Sequence, residues 1–178
     1  MDIRLATLED APAITTIYRP YVEDSIVSFE LEAPTEATMR ERMGKVQAKL
    51  PWLVCEQDGA VAGYAYASSH HDRAAYQWSV DVSVYLRQGQ QRRGFGRALY
   101  TELFALLVQQ GYYTAYAGIS LPNAASVGLH ESFGFEPVGV YRNAGFKSGA
   151  WHDVGWWQRP LRNYQVPGSA PSQRLSRT

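Results

Sequence analysis

Hydrophobic and polar positions along the chain alternate with a period of two in some stretches and recur with helical spacing in others. A period of two, or a short apolar run between turn residues, predicts a strand because successive side chains point to opposite faces. Seven stretches meet this description: 3–6, 52–56, 61–67, 76–86, 113–119, 135–142 and 154–161. The Gln57-Asp58-Gly59 turn predicts that the second and third strands form a hairpin.

Helical spacing of apolar residues predicts four helices between these strands. Each begins next to a residue that favours a helix start: Thr7, Thr35, Gly94 and Asn123. The third helix is predicted over 94–110, since Gly111 is a typical C-terminal stop. Pro20 predicts a break in the first helix. Between the last two strands the spacing predicts a long glycine-rich loop.

The order of strands and helices predicts a mixed α/β (α+β) fold in which helices cover the faces of a sheet. Residues 1–162 form a single predicted domain. The tail over 163–178 is rich in Pro, Gly and Ser and has almost nothing to bury. We therefore expect that tail to be disordered.

Composition narrows the class of protein further. The 178 residues are 46% hydrophobic and 19% charged, as in a soluble globular domain. Lys+Arg and Asp+Glu both number 17, so no charge surplus favours nucleic acid or a membrane surface as partner. Cys55 is the only cysteine, which excludes an intrachain disulfide, and its apolar neighbours indicate a buried, inert thiol. With no signal-peptide layout and no bilayer-length apolar stretch, the expected compartment is the cytoplasm.

The most informative segment is the strand over 80–86 and the basic, glycine-containing loop that follows it. Such a loop at a helix start favours phosphate, because the first backbone N–H groups of a helix lack partners and the helix dipole attracts anions. Gly94 and Gly96 carry no Cβ, which permits a close ligand or a positive φ. Arg97-Ala98 after Gly96 excludes a Walker A loop, and Leu99 excludes the dinucleotide fingerprint.

The pattern Gln91-x-x-Gly94-x-Gly96 resembles the acyl-CoA pyrophosphate loop of the GCN5-related N-acetyltransferases, and the order of elements over 3–161 is similar to that superfamily. Further motifs resemble its phosphinothricin and methionine sulfoximine N-acetyltransferase subgroup. They are Ser28-Phe29-Glu30, Ser83-Val84-Tyr85, Leu121-Pro122-Asn123 with Ser126 and Leu129-His130-Glu131, and Gly145-x-Lys147-x-Gly149-x-Trp151-x-Asp153. The resemblance implies a mostly antiparallel central sheet of about seven strands flanked by helices, acetyl-CoA as co-substrate, and a homodimer.

The resemblance also implies which residues contact acetyl-CoA. Backbone groups at the end of the 80–86 strand pair with the pantetheine arm like an added strand. A bulge that parts this strand from the one over 113–119 would open a slot for the arm. The implied cofactor-binding residues are Val84, Tyr85, Leu86, Gln91, Arg92, Arg93, Gly94, Phe95, Gly96, Arg97, Asn123 and Ser126.

Two residues are catalytic candidates. Alternation places Asp81 on the polar face of a valine-rich strand, where it is either an ordinary solvent-facing residue or, as the resemblance implies, the base that deprotonates the amine directly or through a water. The subgroup usually has Glu at this position, so the reach here is one methylene shorter. His130 is either a core histidine bonded to a backbone carbonyl or, by resemblance, a proton donor to the departing thiolate or an acceptor of the amine proton.

Fewer features of the sequence indicate which residues bind the acceptor amine. Arg73 is either an ordinary surface arginine or the group that binds an oxyanion of the acceptor, since guanidinium binds oxyanions bidentately. The other residues that the resemblance implies around the acceptor are Phe29, Glu30, Lys147, Trp151 and Asp153, the last three from either the same or a neighbouring subunit. The remaining histidines have no metal-ligand spacing with Cys or carboxylate neighbours, so we expect no metal site.

These observations predict an acetyl-CoA-dependent N-acetyltransferase that acts by direct transfer on a small amino acid analogue such as phosphinothricin, methionine sulfoximine or methionine sulfone. Two alternatives stay open. One is acetylation of another amine, such as a polyamine, an aminoglycoside or a protein N-terminus. The other is a non-catalytic acyl-CoA-binding module. Resistance to a toxin and routine metabolism would use the same pocket.

Overall fold

The computed structural model describes residues 1–173. One sheet contains seven strands, which are β1 (Asp2–Leu5), β2 (Trp52–Gln57), β3 (Ala60–Ser69), β4 (Ser79–Leu86), β5 (Thr114–Leu121), β6 (Glu136–Lys147) and β7 (Ala150–Pro160). Their order across the sheet is β1-β2-β3-β4-β5-β7-β6. Every neighbouring pair is antiparallel except β4 and β5, which are parallel. The predicted mixed, mostly antiparallel sheet is confirmed.

Helices cover both faces of this sheet. They are α1 (Ala11–Glu23), α2 (Glu36–Gln47), α3 (Phe95–Gln110) and α4 (Ala124–Glu131). On one face α3 buries Leu99, Leu103 and Leu107 against Val80 and Val82 of β4. On the other face α1 and α2 form a second cluster with the outer strands β2 and β3. Within residues 1–173, no helix is both long and apolar enough to span a bilayer.

The two central strands part soon after they meet. Pairing of β4 with β5 covers only Ser79–Asp81 against Thr114–Tyr116. Beyond Asp81 and Tyr116 the strands have no registered pairs, although both continue for several residues. The register of the paired part is regular, so this separation, which we call the fork, arises without a bulge there. Any group placed just beyond Asp81 therefore lies at a gap in the middle of the sheet.

The predicted glycine-rich loop between the last two strands is wrong, because this segment forms a long hairpin. β6 extends to Lys147 and β7 begins at Ala150. Ser148 and Gly149 between them both have positive φ, +53° and +77°, which is the geometry that a two-residue hairpin turn requires. The register shifts between Tyr141 and Gly145, so an irregularity interrupts the ladder without ending it.

The predicted break at Pro20 is also wrong. α1 continues through Pro20 to Glu23. Pro20 has no backbone N–H and therefore removes one hydrogen bond from the helix. Because it lies near the C-terminal end, few further hydrogen bonds of α1 depend on it. Burial of Ile17 and Val22 on either side keeps this last turn packed against the core.

The tail makes contacts that its composition did not predict. Residues 163–173 have no helix or strand, yet Tyr164 Oη lies 3.0 Å from Thr114 Oγ1. The Ser172 backbone both donates to and accepts from Gln110, and Trp78 donates to the Ser169 carbonyl. These hydrogen bonds hold the tail along the ends of α3 and β5, which differs from the expected disorder. Residues 174–178 of the predicted tail lie outside the described residues.

A buried lysine at the end of β6 ties the hairpin to the loop after α1. Lys147 is 7% exposed, and its Nζ donates to the carbonyl oxygens of Val22 at 2.6 Å and Ser28 at 2.7 Å. The adjoining Phe29 packs so closely on Gly145 that a Cβ there would lie 2.4 Å from its ring. Desolvation lowers the pKa of Lys147. Its ammonium is thus engaged with the loop, whereas the sequence had placed it among the acceptor-binding residues.

We expect Lys147→Met to destabilise the protein by about 2–4 kcal/mol, because two buried carbonyl groups lose their donor while the apolar volume is kept. Urea unfolding followed by tryptophan fluorescence measures the change. Lys45→Met is the matched control, since Lys45 is exposed and pairs only with Glu41 one helical turn away. The control should change the free energy of unfolding by less than about 0.5 kcal/mol. Equal stability of both variants would contradict a role for Lys147 as the tie.

Candidate active site

A cleft opens at the fork and is reached from both faces of the sheet. Ser83 and Val84 of β4 line one wall, and Gly118 of β5 lines the other. Tyr100 from α3 and His130 from α4 also line it. Because Tyr100 belongs to the core on the α3 face, while Tyr85 packs against the core on the opposite face and also lines the cleft, the cleft has walls from both sides of the sheet.

The start of α3 lies just beyond the end of β4 and presents free backbone donors. Gly94 is the N-cap residue, with φ +85° and no side-chain cap. The first bonded amide is that of Ala98, which donates to the Gly94 carbonyl. The N–H groups of Phe95, Gly96 and Arg97 thus have no partner among residues 1–173. Three free amides at the positive end of a helix dipole fit a phosphate group.

Arginine side chains surround this helix start. Arg93 bonds Gln90 and lies over the Phe95 ring at 5.5 Å, and Arg97 bonds Ser132 Oγ. Within the described chain, none of Arg92, Arg93 and Arg97 forms an ion pair. Gln91 accepts a hydrogen bond from the Gly89 N–H and so shapes the loop. Uncompensated positive charge beside free amides fits the diphosphate of a coenzyme A molecule.

The backbone that was predicted to pair with the pantetheine arm is only partly available. Val84 and Tyr85 lie beyond the fork, where β5 no longer pairs with β4. The Leu86 carbonyl, however, accepts from Tyr21 Oη at 2.7 Å, and the Leu86 N–H donates to the same hydroxyl at 3.3 Å. The free stretch of backbone therefore ends before Leu86.

The last turn of α4 holds a buried histidine, His130, on the wall of the cleft. Asn123 caps α4 by accepting from the Ser126 N–H at 3.1 Å. His130 Nδ1 lies 2.8 Å from the Ser126 carbonyl, and its Nε2 lies 2.9 Å from Tyr100 Oη. Since a carbonyl only accepts, Nδ1 carries the proton and Nε2 accepts from the tyrosine. Burial lowers the pKa of His130, so the ring is neutral at pH 7 with both nitrogens engaged.

The catalytic candidate on β4 has a partner that sequence reasoning did not assign. Asp81 Oδ1 lies 2.6 Å from Nδ1 of His70, which follows the end of β3. The Asp81 side chain is 28% exposed and that of His70 is 14% exposed. Burial raises the pKa of Asp81, and the hydrogen bond from His70 opposes that shift. The pair is a carboxylate–imidazole dyad at the edge of the fork.

The loop after α1 is fixed by ionic and hydroxyl contacts. Glu30 accepts two hydrogen bonds from Arg42, at 2.6 and 2.9 Å, and a third from Tyr18 Oη. These bonds lower the pKa of Glu30. Its carboxylate is therefore already neutralised by a guanidinium, so Glu30 and Phe29 shape the acceptor side by packing and by holding the loop.

The structure does not bring all acceptor candidates into the fork cleft. Arg73 lies in the exposed connection between β3 and β4 and lines a surface cavity with Tyr76. Trp151 is 62% exposed and lines a different surface pocket with Asp153. Asp153 accepts from the Asn143 N–H and so braces the hairpin. Among residues 1–173 no group of three or more His, Cys, Asp or Glu is arranged to hold a metal ion.

Sequence reasoning missed the partners of both catalytic candidates. The sequence analysis did not single out Tyr100, because its contact with His130 of α4 depends on tertiary packing. His70 carried a usable signal: it has the same alternation phase as Ser68, which is paired with Asp81 across the β3–β4 ladder. Residues diagonal to each other across a ladder lie within side-chain reach.

Comparison with known proteins agrees with this geometry. The family model of the acetyltransferase (GNAT) domain matches residues 3–156. A phosphinothricin N-acetyltransferase of Streptomyces viridochromogenes is 43% identical over 94% of this chain and 90% of its own length. An L-methionine sulfoximine/L-methionine sulfone acetyltransferase of Salmonella typhimurium is 31% identical over 94% and 98%.

A solved structure is also similar. The crystal structure of a GNAT superfamily phosphinothricin acetyltransferase from Sinorhizobium meliloti in complex with acetyl-CoA has a TM-score of 0.89 and 34% identity, covering 98% of this chain and 94% of that one. The resemblance stated from the sequence motifs is confirmed at the level of fold and family. This chain belongs to the GNAT acetyltransferase family.

Proposed function

We propose that this protein transfers the acetyl group of acetyl-CoA to the amino group of a small amino acid analogue of the phosphinothricin or methionine sulfoximine type. Relatives named for these acceptors are similar over nearly the whole chain. N-acetylation removes the positive charge of the amine, which is how such an enzyme would confer resistance to an amino acid-like toxin. The one cysteine is buried and unpaired, which suits a reducing compartment such as the cytoplasm.

The observation that carries the proposal is the alignment of the free α3 amides, the fork cleft and Asp81. Free amides, and arginines that form no ion pair within residues 1–173, stand just beyond the end of β4, and Val84 and Tyr85 near that end line the fork cleft. Asp81 is the last residue of β4 that pairs with β5, and its side chain lies on the same face of the strand as that of Ser83, which lines the cleft. A thioester reached from the α3 side would thus meet an amine held on the Asp81 side.

Each side of the cleft contributes a different group to the reaction. On the acceptor side, Asp81 attracts the substrate ammonium and promotes its deprotonation, since only the neutral amine attacks a thioester. On the α3 side, neutral His130 accepts from Tyr100 and holds that hydroxyl on the wall of the cleft. Because both nitrogens of His130 are engaged, its role is to position Tyr100 beside the departing sulfur.

Arg73 is the best candidate for the oxyanion of the acceptor. Its guanidinium forms no ion pair within residues 1–173, and the nearby Tyr76 gives it an aromatic neighbour in the same cavity. It begins the short turn that leads into β4, so it lies on the chain segment between His70 and Asp81. An acceptor with a phosphinate or sulfoximine group at one end would place that group toward Arg73 and its amine toward Asp81.

The direct test is to mix the protein with acetyl-CoA and L-methionine sulfoximine and to follow free thiol release. Release with the sulfoximine or with phosphinothricin is the expected result. Release only with other amines, such as spermidine or an aminoglycoside, would favour the first alternative. Binding of acetyl-CoA without thiol release for any amine would favour a non-catalytic acyl-CoA-binding module.

We expect Gly94→Val to weaken acetyl-CoA binding at least about tenfold, because a β-branched residue resists φ +85° and displaces the bend that directs the free amides. Isothermal titration calorimetry measures the affinity. Gly59→Val is the control, since Gly59 has φ +76° in the remote β2–β3 turn and an equally open surrounding. The same affinity in both variants would exclude the Gly94 bend from the binding site.

We expect Asp81→Asn to lower kcat/KM by roughly 10²–10⁴-fold, because it keeps the shape of the side chain and removes its charge. Burial raises the pKa of Asp81, so wild-type activity should fall as the pH drops through that raised value. The variant should lose this acidic limb. Exposed Asp72→Asn is the control and should keep wild-type rates. An unchanged pH–rate profile in Asp81→Asn would remove Asp81 from the mechanism.

We further propose that the protein forms a homodimer through β6. This strand is the edge of the sheet and is exposed along most of its length. Large apolar side chains remain exposed on it and on the neighbouring end of β7, namely Val138, Val140, Tyr141, Phe146 and Trp151. A long, apolar edge strand is a surface that proteins normally cover, and a second copy supplies the same edge to pair with it.

We expect multi-angle light scattering to give twice the 20.0 kDa monomer mass for the wild type and the monomer mass for Val140→Asp. The charged side chain would have to be desolvated in the apolar interface. Val108→Asp, at an exposed valine of α3, should leave the dimer intact. A wild-type protein of monomer mass would contradict the proposed dimer.

A further inference from the structure

The imidazole of His70 is held over the acceptor side of the fork by aromatic contacts. Its ring stacks on Tyr116 with centroids 4.2 Å apart and an interplanar angle of 13°. Its edge meets Trp156 at 6.0 Å. Trp156 in turn covers Gly118, where a Cβ would lie 3.1 Å from the indole ring, and Gly118 lines the fork cleft. The ring is therefore fixed in orientation next to the mouth of the cleft.

Only one of the two ring nitrogens is engaged. Nδ1 contacts Asp81 Oδ1 at 2.6 Å, while Nε2 has no hydrogen bond to any of residues 1–173. Because an ionised carboxylate only accepts, Asp81 places the ring proton on Nδ1 and leaves a lone pair on Nε2. His130 provides the contrast within the same protein, since both of its nitrogens are bonded and its ring is buried.

We propose that His70 Nε2 accepts the proton of the substrate ammonium and that Asp81 acts through His70 as the group that fixes its tautomer. A carboxylate that orients an imidazole, which itself takes the proton, is the arrangement that makes histidine an effective general base. This inference rests on the proposed acetyltransferase function and assigns the proton acceptor within it.

The proton balance of the step is complete. The substrate R–NH3⁺ gives one proton to Nε2, which converts His70 to the imidazolium beside the Asp81 carboxylate. The neutral amine forms an N–C bond to the thioester carbonyl carbon, and the C–S bond breaks with its electron pair on sulfur. The nitrogen loses a second proton as the amide forms, and the thiolate takes up one proton to become the free thiol. These two changes cancel in the proton balance. Imidazolium then returns its proton to solvent, so one proton is released per turnover.

Four titratable groups face the His70 ring. Asp81 lies on β4, Tyr116 on β5, Tyr76 on the short turn before β4, and His71 is the adjacent residue. Asp81 is the only one of these that is hydrogen-bonded to the ring. A pH dependence that disappears with either His70 or Asp81 therefore reports the dyad.

The decisive variant is His70→Ala, with His71→Ala as the matched control, since His71 is an adjacent, exposed histidine. We expect His70→Ala to lower kcat/KM about 10²–10³-fold with acetyl-CoA affinity unchanged, and His71→Ala to stay within about twofold of wild type. Added imidazole should restore much of the lost rate in His70→Ala only, and more so as the pH rises and imidazole loses its proton. A merely structural role would not respond to imidazole.

Two results would overturn the inference. One is a His70→Ala enzyme within about threefold of wild type, or one whose lost rate imidazole does not restore. The other is a proton on His70 Nε2 rather than Nδ1 in long-range ¹H–¹⁵N spectra of the wild type at pH 8. A wild-type protein that binds acetyl-CoA but releases no thiol with any amine would instead contradict the proposed function. The ¹H–¹⁵N spectra distinguish this failure from that of the inference, because they locate the His70 proton without relying on turnover.

Discussion

The parting of β4 and β5 after Asp81 and Tyr116 is the constraint on which the site depends. A continuous sheet would separate the α3 face from the opposite face by a wall of paired backbone. Because the pairing stops after three residues, a cleft passes between the strands and joins the two faces. In the proposed function, the free amides of α3 bind the coenzyme on one face, Asp81 and His70 act on the amine at the other, and the two reactants meet through the cleft.

The two imidazoles beside the fork show how environment divides chemical roles. His130 is buried, its pKa is lowered, and a carbonyl and a phenol occupy its nitrogens. His70 is partly exposed, has an anionic partner on one nitrogen and none on the other among the described residues. The two surroundings differ in which ring nitrogens are engaged, and on the proposed mechanism this difference assigns a structural role to His130 and proton transfer to His70.

The parts of this arrangement that follow from local rules were predictable from the sequence. Gly94 and Gly111 set the bounds of α3, and the phosphate-type bend at its start follows from residues that are consecutive in the chain. The hairpin over 143–153 was missed because its glycines indicate a loop, whereas the β6–β7 ladder continues through Gly145–His152 to Lys147–Ala150. His70 was missed because its meeting with Asp81 depends on the β3–β4 register, which the nine-residue connection over 70–78 leaves unspecified.

The short side chain of Asp81 becomes intelligible once His70 is included. The subgroup that the sequence motifs resemble usually has the longer glutamate at this position, and the reach of an aspartate is one methylene shorter. The imidazole bonded to Asp81 projects a basic nitrogen beyond the carboxylate, and Tyr116 and Trp156 hold its ring in place. In the proposed mechanism the two residues depend on each other, since Asp81 has the shorter reach and His70 takes its tautomer from the bond to Asp81. The negative charge and the aromatic support therefore function as one unit.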